Sequence, residues 1–471
     1  MNQQQQQQDD IAIVGIGCRL PGGSRTPQQF YEQLVNGLDG ISTDNQDRWS
    51  KSYNDQEFIA SERAGYLDMK EWTHFDRQFF GTLAADACVM DPQVRLFMTV
   101  IWEALEDAHI DPASIRGSNT SVFVGQMFYA TDNMHIYDIP TIKPLLRAGK
   151  GDSALRTSYC YDFRGPSLSI DTACSSSLVG ILQGIDTIRS GQSDISICGG
   201  MNAFVEPTSS VHFTRLKLLG TKGKCASFDS SVDGYCRSEG VGVVILKRLS
   251  KAIQDNDNIY CVIKGGNCNV DGNFEKSSVT APSRAAQQVN TSTALQKTGL
   301  SPSDIYYVEC HGTGTPTGDP LEVQGIAGVF GDSHSKEQPL RIGSVKSNIG
   351  HTESTAGVAS IIKCAMMLKN RTLIKNINFK ELNPRIDLLD GRIKIVLENE
   401  PLPDDRVIRM GINSFGLTGS NSHVIVEEYR NNNINNNNFI INENNMNIMN
   451  IVMNIYINII LSFNLKTKLI N

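Results

Sequence analysis

Three short segments of this chain carry side chains that could do chemistry together. Asp171-Thr-Ala-Cys174-Ser-Ser-Ser-Leu178 offers a thiol. Glu309-Cys-His311-Gly-Thr-Gly-Thr315 and Ser344-Val-Lys346-Ser-Asn-Ile-Gly-His351 each offer an imidazole. A thiol can capture an acyl group as a thioester. Two neutral imidazoles can hold the charge of a developing enolate, because N–H donors stabilise an oxygen on which charge builds. Acyl capture beside enolate stabilisation is what carbon–carbon bond formation between thioesters requires.

The surrounding sequence suits those roles. Apolar residues recur with helical spacing after Cys174 (Leu178, Ile181, Leu182, Ile185, Ile188), and Leu168-Ser-Ile-Asp-Thr before it reads as a strand. The thiol therefore sits at a strand-to-helix turn, where free backbone N–H groups and the helix dipole are expected to lower its pKa. Small neighbours, Thr172, Ala173 and three serines, leave space for a long substrate arm. Glycines after His311 let the backbone bend and present the imidazole to a cavity.

The elements needed to position these groups alternate along the chain. Strand-like runs occupy 11–16, 121–125, 168–171, 195–199, 240–247, 260–267, 305–309, 341–345 and 424–428. Helical periodicity covers 91–109, 174–190, 283–299 and 355–370. This alternation predicts an α/β architecture with largely buried sheets.

The motifs have a wider context. From Asp10-Ile-Ala-Ile-Val-Gly-Ile-Gly-Cys-Arg-Leu-Pro-Gly-Gly23 to Asn413-Ser-Phe-Gly-Leu-Thr-Gly-Ser-Asn-Ser-His423 the chain resembles the β-ketoacyl synthase family, specifically the ketosynthase domain of a type I polyketide synthase. The resemblance implies a thiolase-like fold, two duplicated halves (10–250 and 251–429) in an α-β-α-β-α layering, each with a five-stranded sheet. It implies Cys174 as nucleophile, with His311 and His351 holding the enolate of a malonyl unit. It implies an ion pair of Lys346 and Glu322 near the second histidine, and Phe415 and Leu417 at the pocket gate. The backbone N–H of Leu417, with that of Cys174, would form the oxyanion hole. Leu417 stands where the family has a phenylalanine, and Thr418 where it has a glycine, which is costly if φ must be positive. His423 belongs to the closing motif and reads as structural.

The reaction implied is decarboxylative Claisen condensation of an enzyme-bound acyl group with a carrier-bound malonyl-type extender, in polyketide or fatty acid biosynthesis. No cofactor is expected to be bound covalently; phosphopantetheine comes on a separate acyl carrier protein. Family membership also implies a homodimer. No Gly-x-Ser-x-Gly elbow is present, so a trans acyltransferase is expected as a partner. A thiolase would carry a second cysteine late in the chain, and none follows Cys364. A priming relative would have asparagine at 351. The alternative is a truncated, catalytically inactive relic that acts at most by dimerising.

Composition excludes other classes. Forty-three Lys and Arg against 50 Asp and Glu give a net charge of −7, which argues against a nucleic-acid or anionic-membrane partner. Eleven cysteines without a Cys-x-x-Cys pair argue against a structural zinc site and for a reducing, cytoplasmic setting. Gly15-x-Gly17 lacks the third glycine of a dinucleotide site. Residues 1–9 read as a disordered glutamine-rich tail and 430–471 as an asparagine-rich low-complexity tail. Within the latter, apolar 448–465 is interrupted by asparagine about every fourth residue and does not read as a membrane span.

Overall fold

Strand β1 (Ile11–Arg19) is buried along its whole length, because its nine residues lie at the centre of a sheet covered on both faces. The computed structural model describes residues 9–43, 59–128, 152–204, 207–273 and 276–430; the two tails expected at 1–9 and 430–471 lie, but for a residue each, outside them. The other strands are β2 (Ser121–Gly125), β3 (Ser167–Ile170), β4 (Ile195–Asn202), β5 (Gly240–Arg248), β6 (Cys261–Val270), β7 (Tyr307–Glu309), β8 (Leu340–Gly343), β9 (Thr372–Leu373), β10 (Ile393–Ile395), β11 (Glu400–Pro401), β12 (Arg409–Phe415) and β13 (Ser420–Glu427). β9 and β11 form a separate ribbon. The remainder run in the order β10-β8-β7-β12-β13-β6-β1-β5-β4-β2-β3.

That order contains an internal repeat. The first half reads β3-β2-β4-β5-β1 and the second β8-β7-β12-β13-β6, so strands that correspond in chain order occupy corresponding places. The pairings agree as well. β1–β5 and β5–β4 are antiparallel while β4–β2 and β2–β3 are parallel. β6–β13 and β13–β12 are antiparallel while β12–β7 and β7–β8 are parallel. Each half holds five corresponding strands, and the two sets are continuous with one another. A short antiparallel ladder, Ile11–Ile13 against Cys261–Ile263, joins them edge to edge, and β10 extends the second.

Two helices, Ser176–Arg189 and Ala356–Lys369, each follow the third strand of their half and touch strands of both halves. They form the central layer. Thirteen of the fourteen residues of the second are buried. Helix Pro92–Asp107 covers the outer face of the first half, and Arg284–Thr298 with Gly318–Phe330 that of the second. The result is the five-layered α-β-α-β-α arrangement of the thiolase-like fold.

All nine expected strands are present. Strand β12 and helix Gly318–Phe330 were not expected, because buried polar residues interrupt their apolar patterns: Asn413 and Ser414 in one, Asp319 and Glu322 in the other.

One charge lies inside the central layer. Lys363 is fully buried and its Nζ donates to Glu309 Oε2 at 2.8 Å and to the Tyr307 hydroxyl at 3.1 Å. Glu309 Oε1 accepts the backbone N–H of Val345 at 2.6 Å, which ties β7 to the segment carrying Lys346 and His351. Replacing Lys363 by Met leaves that carboxylate buried without its counter-ion and is expected to cost about 3–5 kcal/mol of stability. Adding Glu309→Gln should restore most of the loss. Thermal or denaturant unfolding of the single and double variants checks both outcomes.

Candidate active site

The turn between β3 and helix Ser176–Arg189 is over-determined by its own hydrogen bonds. Asp171 accepts the N–H of Ala173, and Ser176 Oγ accepts that of Thr172. Ala173 takes φ 55°, a left-handed conformation that costs a non-glycine residue about 1–3 kcal/mol. The strained residue swings Cys174 out of the strand direction and toward the second half. Close backbone approach locks the turn in place: a Cβ on Gly416 would lie 2.3 Å from the Thr172 carbonyl oxygen. The Ser414 hydroxyl donates to the Cys174 carbonyl at 2.8 Å.

His311 leaves the carboxyl end of β7 and His351 the segment after β8. Sγ of Cys174 and one ring nitrogen of each histidine all lie within 4.8 Å of one another. The two rings stand edge to face, their centroids 5.3 Å apart at 85°. The sequence separations of 137 and 40 residues thus close to one cavity, as expected. That cavity measures about 250 Å³; its walls include all three residues together with Glu322, Phe415 and Leu417.

The protonation of both imidazoles follows from their surroundings. Burial, then the Lys346 ammonium, hold each well below the ordinary histidine range, with His351 adding to the effect on His311 and Arg237 to that on His351. Both rings are neutral. The N–H of Glu353 donates to Nδ1 of His351 at 3.2 Å, and the N–H of Phe415 to Nδ1 of His311 at 3.4 Å. With Nδ1 accepting, the single proton of each ring resides on Nε2. A thiol and two imidazoles also form a donor set that zinc accepts. Here the buried Lys346 ammonium, felt by both rings, opposes a further positive charge.

Two expectations are corrected. First, the Cys174 thiol is pushed up to about 12, not lowered. Burial is the largest cause and Glu353 adds to it, while Lys346 and the backbone N–H groups of Leu417 and Cys174 pull the other way. Desolvation of the half-buried sulfur outweighs the turn's N–H groups and favours the thiol. Second, Lys346 and Glu322 form no ion pair. Glu322 is occupied by three N–H donors: the backbone of His311 at 2.7 Å, the backbone of Gly312 at 2.8 Å and Asn413 Nδ2 at 3.0 Å. It clamps the turn that carries His311. Burial raises its pKa to about 7, against the pull of these donors. Lys346 Nζ is buried without a hydrogen-bond partner, and burial lowers its pKa against the attraction of Glu309 and Glu322.

The backbone accommodates both gate substitutions. Leu417 keeps its backbone N–H directed at the Cys174 sulfur. Thr418 has no positive φ; Gly419, at φ 94°, takes the left-handed position in the β12–β13 turn. Sequence reasoning missed the support around the site. Arg237 and Glu353 form a buried bidentate pair, with Nε–Oε1 at 2.6 Å and Nη2–Oε2 at 2.9 Å. It fixes Glu353, whose N–H holds His351. The Tyr235 ring lies 5.1 Å from His351. Only the position of Glu353, two residues after His351, could have drawn attention to it.

Comparison with known proteins agrees with this geometry. Residues 8–252 match the model of the β-ketoacyl synthase N-terminal domain and residues 260–380 that of its C-terminal domain. The chain belongs to the β-ketoacyl synthase family. A third model, the ketoacyl-synthetase C-terminal extension, matches 383–453 and so runs into the asparagine-rich stretch. Among curated proteins of Dictyostelium discoideum, probable polyketide synthase 17 is 50% identical over 422 residues, covering 89% of this chain and 16% of that protein. Probable polyketide synthase 1 is 45% identical, covering 90% and 14% respectively. The chain therefore spans about one-sixth of the relatives it matches. Among solved structures, the ketosynthase from module 6 of the Bacillus subtilis 168 bacillaene synthase (C167S mutant) superposes with a TM-score of 0.83 at 32% identity, over 90% of this chain and 72% of that one. The ketosynthase domain OzmH KS7 of the Streptomyces albus JA3453 oxazolomycin system gives 0.81 at 33%, over 90% and 74%. The chain thus resembles polyketide synthase ketosynthase domains in sequence and in fold. No helix among the described residues is long and apolar enough to cross a membrane.

Because the thiol is raised to about 12, its thiolate fraction should climb through the whole alkaline range. Alkylation of Cys174 by iodoacetamide, followed by peptide mass spectrometry, is expected to quicken about tenfold per pH unit from about pH 7 to 10. A plateau above about pH 8 would show instead a thiolate stabilised by the turn.

Proposed function

We propose that this chain catalyses decarboxylative Claisen condensation, with Cys174 as nucleophile and His311 and His351 as enolate-stabilising donors. The observation that carries the reading is the pair of neutral rings, each with Nδ1 taken by a backbone N–H, directing Nε2–H toward the cavity that holds the Cys174 sulfur.

Cys174 attacks the carbonyl carbon of an incoming acyl thioester, and the thiol proton leaves with the departing thiol. The tetrahedral oxyanion is held by the N–H groups of Cys174 and Leu417. A malonyl-type thioester then enters, and its carbonyl oxygen accepts hydrogen bonds from both Nε2–H groups. Loss of CO₂ leaves its electron pair in the enolate. The α-carbon attacks the Cys174 acyl carbon, the C–S bond breaks with its electron pair on sulfur, the thiolate takes up a proton from solvent to restore the thiol, and a β-ketoacyl thioester leaves on the carrier. Neutral rings suit this because they polarise the carbonyl without donating a full proton.

The acyl and malonyl groups are assigned to the phosphopantetheine arm of a separate acyl carrier protein, loaded by a trans acyltransferase. A homodimer is supported by edge strand β3, where Leu168 is exposed beside Leu155 and Tyr159 of helix Asp152–Tyr161. A cytoplasmic setting is supported by the free cysteines, most of them buried.

Intact-mass analysis with acyl carrier thioesters should show one adduct on wild type and none on Cys174→Ala. His311→Ala and His351→Ala should still acylate but release CO₂ from malonyl thioester at least about a hundredfold more slowly. A wild-type chain that neither acylates nor releases CO₂ overturns the proposal and favours the inactive relic. Leu168→Asp with Tyr159→Asp is expected to halve the mass measured by light scattering, by placing charge on the paired edge.

A further inference from the structure

We infer that His423 is a positioning residue for His311, acting through a buried hydrogen-bond chain that runs His423–Asn413–Glu322 to the His311 and Gly312 backbone. The inference rests on the condensation reading, since it supplies the reason for placing His311.

Strands β12 and β13 form a hairpin in which Asn413 and His423 are directly opposed. Nδ1 of His423 lies 2.7 Å from Oδ1 of Asn413. The amide end facing Glu322 is Nδ2, the donor, and the oxygen it meets, Oε1, is the one that also accepts the His311 N–H. Oδ1 therefore faces His423, and Nδ1 of the imidazole must donate to it. His423, Asn413 and Glu322 are 0%, 2% and 3% exposed, so no solvent competes for these groups. Burial holds His423 neutral, with a pKa near 3.

Two features argue that the ring is present for its Nδ1–H and is more than core filling. Its other nitrogen, Nε2, is buried without a partner, a desolvation cost that an apolar side chain would avoid. The strand opposite is also shaped to admit the ring: a Cβ on Gly411 would lie 2.7 Å from Cε1 of His423. The donor fixes which way the Asn413 amide points. Without it the amide is free to turn its oxygen toward Glu322, setting a carbonyl against a carboxylate and removing one of the three donors on the clamp. Phe415, two residues along the same strand, supplies the N–H that sets the His311 tautomer. The hairpin thus addresses His311 twice, and His423 sets the first of these links. The same hairpin reaches Cys174 through Ser414, but Cys174 has no hydrogen bond to His423, Asn413 or Glu322, the three residues of the chain.

The test compares the two partial reactions in the 471-residue chain: acyl transfer to Cys174 by intact mass, and CO₂ release from malonyl carrier thioester. His423→Leu removes the donor, His423→Asn keeps an N–H close to the Nδ1 position, and Asn413→Asp removes the donor to Glu322 at constant size. Wild type must perform both reactions; if it does neither, the condensation reading fails first and separately. Given an active wild type, His423→Leu and Asn413→Asp are expected to slow CO₂ release about tenfold or more while acylation stays within about twofold. His423→Asn should recover most of the CO₂ release. The inference is overturned if either variant loses both reactions in step, if neither loses CO₂ release, or if His423→Asn behaves as His423→Leu does. Should His423→Leu fail to fold, Asn413→Asp alone, read by the same split, supports or overturns it.

Discussion

The rest of the site is arranged around two imidazoles that are kept uncharged and fixed in one tautomer, a condition under which each has a single N–H to offer. Burial and the nearby Lys346 charge keep the rings neutral. Two main-chain N–H groups, from Glu353 and Phe415, occupy Nδ1 and leave Nε2–H for substrate. Neither tautomer depends on another titrating side chain. Preorganised donors of this kind need no reorientation as charge develops, which is where much of an enzyme's electrostatic advantage arises.

Behind that arrangement stands a set of buried charges, each with a mechanical task. Glu322 grips the His311 turn, Glu309 joins β7 to the Lys346 segment, and Glu353 is pinned by Arg237. Lys363 balances Glu309. Lys346 stands apart, its ammonium buried with no hydrogen bond and its field felt by both rings. Its contribution is electrostatic. The ion pair expected with Glu322 does not form because backbone and amide donors already fill that carboxylate.

The strands with continuous apolar runs, such as β1, β4 and β5, were legible in the sequence because burial on both faces demands such runs. So were the three reactive side chains, each set in a glycine- or serine-rich turn. Strand β12 and helix Gly318–Phe330 were illegible for a reason tied to function. Asn413, Ser414, Asp319 and Glu322 are polar residues in core positions, and they erase the periodicity by which such elements are recognised. The thiol's pKa was misjudged because its turn could be read from sequence and the depth of its burial could not. The Arg237–Glu353 pair spans 116 residues and carries no local signal.

The duplicated strand order has a consequence for how this molecule tolerates change. Cys174 follows the third strand of the first half, whereas the Lys346–His351 segment follows the third strand of the second, and His311 the second. The sulfur and the rings therefore belong to separate halves of one compact unit, joined by the β1–β6 ladder and by the packing of the two central helices. Those helices meet so closely that a Cβ on Gly357 would lie 2.7 Å from Cβ of Leu178. The contact acts as a spacer gauge: thickening it by one methyl group pushes nucleophile and electrophile apart without touching either.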